Sequence, residues 1–335
     1  MSTTVRSIDV GYGNTKYVCA RPEGGEILCR LFPSLVSRSF GHDLSDGVIA
    51  KRDTVVVEVD GNQYEVGPDV ELALRTYTAR VLHRDFVETP EYLALLRGAL
   101  ADMRLSEINL LVAGLPVSWL NTKSSELKER LSGDHPIGKG STVKVEKVLV
   151  LAQPLGGFID YALSSGRYGQ MRETRNLVID PGFFTVDWVL AKGIQPISER
   201  CGSFPGGISA VLRKLAESIG KEQRLELDDP VVLDRALRTG RLNLFGREIP
   251  VARHLAAARL IADEAATTVA NSVGDGRDVD AIVLVGGGAE FFRPALSRRF
   301  PRHLVQVVPD PVFANVRGFQ RAGEELMRQR QLEVA

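Results

Sequence analysis

No stretch of the chain is apolar over the ~18–20 positions that a helix needs to cross a bilayer, so no transmembrane helix is expected. An excess of charge of either sign is also missing. The 42 Lys and Arg balance 42 Asp and Glu, which gives no footprint for direct nucleic-acid binding or for an acidic membrane surface. Short basic runs such as Arg298-Arg299 read as solvated faces. Cysteine is scarce: Cys19, Cys29 and Cys201 form no CxxC and pair with no His spacing, so they read as small buried hydrophobes. His42, His83, His135, His254 and His303 are scattered without ligand spacing and are assigned no role. The opening Met1-Ser-Thr-Thr-Val-Arg lacks the apolar core of a secretory signal, and a cytoplasmic protein is expected. What remains, 335 residues that are 44% hydrophobic and 25% charged, is globular and long enough for two domains.

The feature around which the chain is organised is written twice. Ile8-Asp9-Val10-Gly11-Tyr12 is echoed by Ile179-Asp180-Pro181-Gly182-Phe183, and Thr15 by Thr185, with the turn differing by one residue between copies. Each copy reads as apolar strand, aspartate, glycine turn, threonine, apolar strand. A glycine-bearing turn lets backbone N–H groups approach an anion with no Cβ in the way. An aspartate at the strand end does not touch a phosphate directly, but it can hold the metal that accompanies one. Two such turns facing one another would clamp a nucleotide triphosphate.

Around each copy the pattern is strands first, then alternating helices and strands. Val5–Val10, Thr15–Ala20 and Glu26–Phe32 read as a meander, with Pro22-Glu-Gly-Gly25 as a turn; residues 33–53 read as a loop or exposed insertion. Asp60-Gly61-Asn62 predicts a hairpin between Thr54–Val59 and Gln63–Val66. Thr89-Pro90-Glu91 opens a helix that buries Leu93, Leu96 and Leu100, and Asn109–Gly114 is a strand covered on both faces. Lys123–Leu131 is helical, Val143–Leu151 one strand, and Gln153–Leu163 a helix. The second half gives strands at Leu177–Asp180, Thr185–Ala191 and Gly193–Glu199, and a helix from Phe204-Pro-Gly-Gly207 to Ile219. Helices at 230–238 and Pro250–Val273 follow, then a strand at Ala281–Val285, a Gly286-Gly-Gly288 turn and a helix at Phe291–Arg299. A strand at Leu304–Val308 and a helix at Phe313–Arg328 close the chain. The repeated order implies two related α/β halves.

These segments resemble, in order, the motifs of the actin-like ATPase superfamily. DVGYGNTK at 9–16 is similar to its first phosphate motif, QPLGGFIDYAL at 153–163 to the first connecting helix, and DPGFFTVD at 180–187 to the second phosphate motif. VLVGGGAEFFRPAL at 283–296 is similar to the adenosine motif and FANVRGF at 313–319 to the second connecting helix. The length and the FANVRGF phrase look most like the ParM/StbA plasmid-segregation family, and DPGFFTVDW like the actin-like member of the PRTRC plasmid gene cluster. The resemblance implies an α/β, actin-like (ribonuclease H-like) duplicated fold with a central nucleotide cleft. Its expected domains are residues 1–164, with the helix of 313–335 packing back on them, and residues 165–312. Phe183 and Phe184 depart from the family, which has glycines there.

The expected cofactors are ATP or ADP with Mg²⁺. Asp9 and Asp180 would hold the metal, through water; a lone Asp-x-Gly is otherwise a strand-end turn, and the duplication argues against that for the pair. Lys16 would reach the β- and γ-phosphates, or else be a surface lysine on an alternating strand. Gly11, Gly13, Asn14 and Thr15 would line the first turn, and Gly182, Thr185 and Asp187 the second, Asp187 being equally a solvated strand aspartate. Gln153 would orient the attacking water, with Asp180 as its catalytic partner, or would merely start a helix. Gly206 and Gly207 open a helix that would face ribose or phosphate, a plain helix start being the alternative. Gly286, Gly287 and Gly288 would let adenine and ribose approach the backbone, or form a tight turn needing positive φ. Asn315 and Gly318 would line the cleft, as the resemblance implies.

Two functional classes follow. In the first, ATP drives self-assembly into a filament that positions plasmid DNA through an adaptor bound at a centromere-like site, with no direct nucleic-acid or membrane contact. In the second, the fold serves a non-polymerising ATPase or a sugar-kinase-like phosphotransferase, for which Asp160 is the only nearby candidate base. A chaperone of this fold is expected to carry a peptide-binding domain after its ATPase, and with the last expected helix reaching Arg328 a chaperone is not the expected reading.

Overall fold

The computed structural model describes residues 3–22, 25–38, 52–74 and 85–334. Residues 39–51 of the expected 33–53 loop, Glu23 and Gly24 of the expected turn, and His42 and His83 lie outside the described residues. Two compact units divide the chain, residues 1–166 with 313–335, and residues 167–312.

The first unit opens with β1 (Val5–Val10), β2 (Asn14–Ala20) and β3 (Leu28–Pro33), an antiparallel meander. A hairpin follows, β4 (Val55–Val59) and β5 (Asn62–Val66). Its Asp60-Gly61 turn places both residues at positive φ, 50° and 75°, as the Asp-Gly signal predicts. Helix α1 (Pro90–Met103) starts where Thr89 accepts the Tyr92 amide at 3.2 Å. Its Leu95, Leu96 and Leu100 are fully buried. Then come β6 (Glu107–Ile108), β7 (Leu110–Leu115), α2 (Leu120–Leu131), β8 (Gly133–Pro136), β9 (Thr142–Val145), β10 (Val148–Ala152) and α3 (Gln153–Ser164). The run Val143–Leu151, read above as one strand, is two. β9 joins β6 and β8 in a small sheet, whereas β10 joins β7. The chain changes sheets at Glu146-Lys147, where the Glu146 amide donates to Ile108 and the Lys147 carbonyl accepts from Leu111, both at 2.9 Å.

The second unit holds α4 (Tyr168–Met171), β11 (Arg175–Pro181), β12 (Val186–Lys192), β13 (Gln195–Pro196) and β14 (Gly202–Phe204). The expected strand Gly193–Glu199 shrinks to β13, because a 3₁₀ turn at Ser198–Arg200 swings the chain back to pair β14 with β12. Helices α5 (Ile208–Gln223) and α6 (Pro230–Thr239) lead to a hairpin not anticipated above, β15 (Arg241–Leu244) and β16 (Arg247–Pro250). Pro250 therefore ends a strand, and after a 3₁₀ turn at Val251–His254 the long helix α7 (Leu255–Val273) begins five residues later than expected. β17 (Ala281–Leu284), α8 (Ala289–Arg299) and β18 (Val305–Val307) complete the unit. Its core gathers Leu177, Ile179 and Trp188 from the sheet with Leu215, Val269 and Phe292 from the helices.

The last helix, α9 (Ala314–Val334), returns to the first unit. Ser7 Oγ donates to the Val316 carbonyl at 2.7 Å, and Gln320 Nε2 to the Val5 carbonyl at 3.0 Å. It crosses α3 at Gly156 and Gly318, where a Cβ on Gly318 would come within 1.7 Å of the Gly156 oxygen. Only glycine permits that approach.

The two main sheets have one topology. Order β10-β7-β1-β2-β3 in the first unit matches β18-β17-β11-β12-β13 in the second. In each, the first three strands pair parallel and the last two pairings are antiparallel. The duplication inferred from the sequence is thus a duplication of strand order.

Candidate functional site

The register of the strand pairs fixes how the two turns correspond. Asp9 pairs with Lys16 across β1 and β2, and Asp180 with Asp187 across β11 and β12. Gly11 N donates to Asn14 O at 3.2 Å, and Gly182 N to Thr185 O at 2.8 Å. Both turns are therefore the same length, and the one-residue difference expected from the sequence is absent. Thr185 answers to Asn14, and Thr15 answers to Val186, so the threonine echo was offset by one. At the position of Lys16 stands Asp187.

In the first turn Asp9 is fully buried, and both its oxygens are engaged. Lys16 Nζ donates to Oδ2 and Gln153 Nε2 to Oδ1, each at 2.7 Å. These charge-assisted contacts hold the lysine head and the glutamine amide at fixed angles around one carboxylate. Gln153 begins α3 directly after β10, which places it beside β7 and hence near the end of β1. Ser34, which the sequence did not single out, stitches the turn. Its Oγ donates to Gly11 O at 2.6 Å and meets Thr15 Oγ1 at 3.0 Å, and its amide donates to Gly13 O at 3.0 Å. Tyr92 is buried, and that burial, followed by the charge of nearby Asp9, pushes its hydroxyl above the ordinary tyrosine range.

The second turn is built otherwise. Asp180 and Asp187 are both buried. Thr185 Oγ1 donates to Asp187 Oδ2 at 2.5 Å, and Ser203 Oγ donates to its other oxygen, so Asp187 is no solvated strand residue. Ser203 had no signal in the sequence; β14 brings it opposite Asp187. Gly286, at φ +80°, lies so close to Asp180 that a Cβ would stand 1.9 Å from Oδ1. Gly288 donates its amide to Pro181 O at 2.9 Å, and its Cβ would meet that oxygen at 2.7 Å. These two glycines pack against the second turn, while a Cβ on Gly287 meets nothing nearer than 3.9 Å.

The start of α5 faces the same turn. Gly207, Ile208 and Ser209 donate their amides to the carbonyls of Phe184, Gly182 and Phe183 at 3.0, 3.0 and 2.7 Å, and the Gly206 amide donates to Phe204 at 2.9 Å. Those helix-terminal donors lock the turn from within the unit. This also gives Phe183 and Phe184 a role that needs no glycine: their carbonyls anchor α5, and Phe183 packs on the core. Asn315 is buried on α9, and Gly318 serves the crossing with α3.

Among the described residues no three His, Cys, Asp or Glu side chains gather as a metal cage. A buried carboxylate, Asp9 in the first turn and Asp180 beside Asp187 in the second, suits an ion that keeps most of its water and completes its shell with phosphate oxygens, which is the habit of Mg²⁺. Asp9, already accepting from Lys16 and Gln153, fits a role towards that water shell better than direct ligation.

Residues 7–156 match the family model of the N-terminal domain of actin-like proteins, and residues 178–298 that of the C-terminal region of the archaeal actin homologue, MreB-like. Among solved structures the chain is similar to ParM in a 15-stranded filament from Clostridium botulinum, at 21% identity, 97% of this chain, 100% of that one and a TM-score of 0.79. An archaeal actin homolog in complex with ADP is similar at 19% identity, with 96% and 100% covered and a TM-score of 0.75. The actin-like protein Alp7A is similar at 16%, with 99% of each chain covered and a TM-score of 0.70. At these identities the likeness is one of fold. No curated protein matches the sequence. With two actin-type models in tandem and one strand order repeated in both units, the chain belongs to the actin-like superfamily.

Proposed function

We propose that the protein is an ATPase acting on ATP with Mg²⁺, and that nucleotide binding drives its assembly into filaments. The observation that carries this reading is the pair of turns in one register with opposite cross-strand charge, Lys16 against Asp9 and Asp187 against Asp180. Lys16 meets the β- and γ-phosphates as a point charge, its amine already aimed by Asp9. Gln153 commits its amide nitrogen to Asp9, which leaves the carbonyl end to orient the attacking water. Asp9 and Asp180 are the residues that would hold Mg²⁺ through its water, and the bound ion supplies neutralisation of the triphosphate charge. Catalysis on this plan is positioning plus electrostatics.

For the cellular role we favour plasmid segregation through a DNA-binding adaptor. A chain with zero formal charge suits an indirect link to DNA, and the likeness to a filament-forming ParM makes a second copy of the chain the natural partner. A phosphotransferase is disfavoured by its own candidate base. Asp160 is buried and accepts from Arg317 Nε at 2.7 Å and Arg321 Nε at 3.2 Å, an ion pair joining α3 to α9. The test is pelleting and negative-stain microscopy of the pure protein with ATP and Mg²⁺, alongside phosphate release. Filaments with ATP that disassemble as phosphate is released are expected. Hydrolysis without polymer under any nucleotide would leave only the ATPase, and phosphorylation of a sugar would replace the reading.

A further inference from the structure

The tip of the first turn carries a side chain that the proposed chemistry does not use. Tyr12 stands between Gly11 and Gly13, where a turn residue ordinarily points to solvent, yet it is only 8% exposed. Its ring stacks on Phe86, with centroids 4.8 Å apart and planes at 29°, and meets Trp119 edge-on at 6.0 Å and 66°. The chain of rings continues from Phe86 to Tyr92 at 5.4 Å and 79°. These partners come from separate elements. Phe86 lies in a 3₁₀ turn at Phe86–Glu88, Tyr92 in the first turn of α1, and Trp119 in a 3₁₀ turn at Val117–Trp119 that leads into α2. The first of those turns is itself clamped from α2, since Arg130 donates to Val87 O at 2.6 Å and Thr89 O at 2.7 Å.

A tip with glycine on both sides is conformationally soft, and only a narrow set of its conformations presents backbone to an anion. Offset stacking and edge contacts have defined geometry, so an anchored ring removes rotational freedom that the glycines would otherwise leave. We infer that Tyr12, wedged between Phe86 and Trp119, is a positioning residue that holds the Gly11–Gly13 tip ready for phosphate and couples occupancy of the turn to Trp119. The inference rests on the nucleotide reading above and adds to it a residue that acts through the turn it anchors.

The full chain has two tryptophans, and Trp188 is buried in the second unit, donating to Ser272 Oγ at 3.2 Å. A Trp188→Phe background therefore leaves Trp119 as the reporter. ATP and ADP are titrated with Mg²⁺ while emission is recorded, and affinity is measured separately by calorimetry. The parent is expected to change emission in step with the calorimetric isotherm. Tyr12→Ala should weaken binding about tenfold and uncouple emission from occupancy, while turnover at saturating nucleotide stays within about twofold. Tyr12→Phe should restore both, because the ring and not the hydroxyl is the wedge. Should Tyr12→Ala fail to fold, Phe86→Leu is read in its place, with the same direction and a smaller change. Unchanged Trp119 emission at calorimetric saturation, unaltered affinity in the variant, a loss confined to turnover, or no rescue by Tyr12→Phe would each overturn the inference. An absence of calorimetric binding by the parent is a separate result, overturning the nucleotide reading and this inference together.

Discussion

The two turns share strand order, register and length, and differ in what stands across from the aspartate. In the first, Asp9 lies against Lys16 and the pair is neutral; in the second, Asp180 lies against Asp187, with hydroxyls of Thr185 and Ser203 serving the latter. A backbone frame has been kept while one position changed sign. The neutralised turn, with a lysine head at its mouth, suits an anion. The doubly acidic turn suits a cation and its water. The scaffold is thus present twice, and on the proposed reading the division of labour lies in one cross-strand residue.

That contrast can be broken directly. The largest expected effect is on Asp180→Ala, which should lower turnover by roughly 10²–10³-fold while retaining nucleotide binding, as followed by phosphate release and calorimetry. Wild-type turnover in this variant would remove the second aspartate from the chemistry. Lys16→Met should act the other way, weakening nucleotide affinity by about 10–100-fold through a lost charge-assisted bond, with a smaller effect on saturated turnover. Equal losses of affinity in the two variants would erase the distinction between the turns. A third test concerns the glycines beside Asp180. Gly286→Ala must hold φ near +80° and place a Cβ 1.9 Å from the carboxylate, so urea unfolding should show a loss of about 1–3 kcal/mol. Gly287→Ala, with its nearest neighbour at 3.9 Å, should be close to neutral in the same assay.

The smallest effect lies away from both turns and serves as their control. His135 on β8 is buried, its Nε2 in contact with the Leu131 carbonyl at 3.0 Å. Burial is the main cause that lowers its pKa below the ordinary 6.5, and the Arg97 charge adds to it. The folded protein thus keeps this ring neutral, whereas the unfolded chain takes up a proton below about pH 6.5. Its contribution is fully present above that value and is lost as the pH falls below it. Thermal midpoints between pH 7.5 and 5.5 should fall less in His135→Gln than in the parent; an identical slope would place the acid sensitivity elsewhere.

Much of this organisation was legible in the chain because its signals are local. The Asp-Gly hairpin, the Thr89 cap and the buried run at 110–115 depend on residues within a few positions of one another. Other features depend on partners far away in sequence. Nothing between Val143 and Leu151 marks a turn, and the strand divides only because β6 and β7 belong to different sheets. The hairpin tip Phe245-Gly246 lacks an Asn-Gly or Asp-Gly pair, and a phenylalanine at φ 50° is not what turn chemistry suggests. At the site, the aspartates and glycines of the turns were visible from the repeat. Ser34, Ser203 and the rings around Tyr12 were not, since each is recruited by tertiary folding. The offset of the threonines shows the limit of aligning by residue type: strand register decides which residues answer to one another.

The return of α9 to the first unit has a consequence for how the molecule is made. Residues 167–312 are contiguous and carry their own core, so this unit can mature as soon as it clears the ribosome. The first unit, although synthesised earlier, must wait with Val5, Val112 and Gly156 lacking their cover until the segment around Phe319 emerges. Birth order and completion order are reversed, and the half synthesised first is the half left longest in need of protection from premature association.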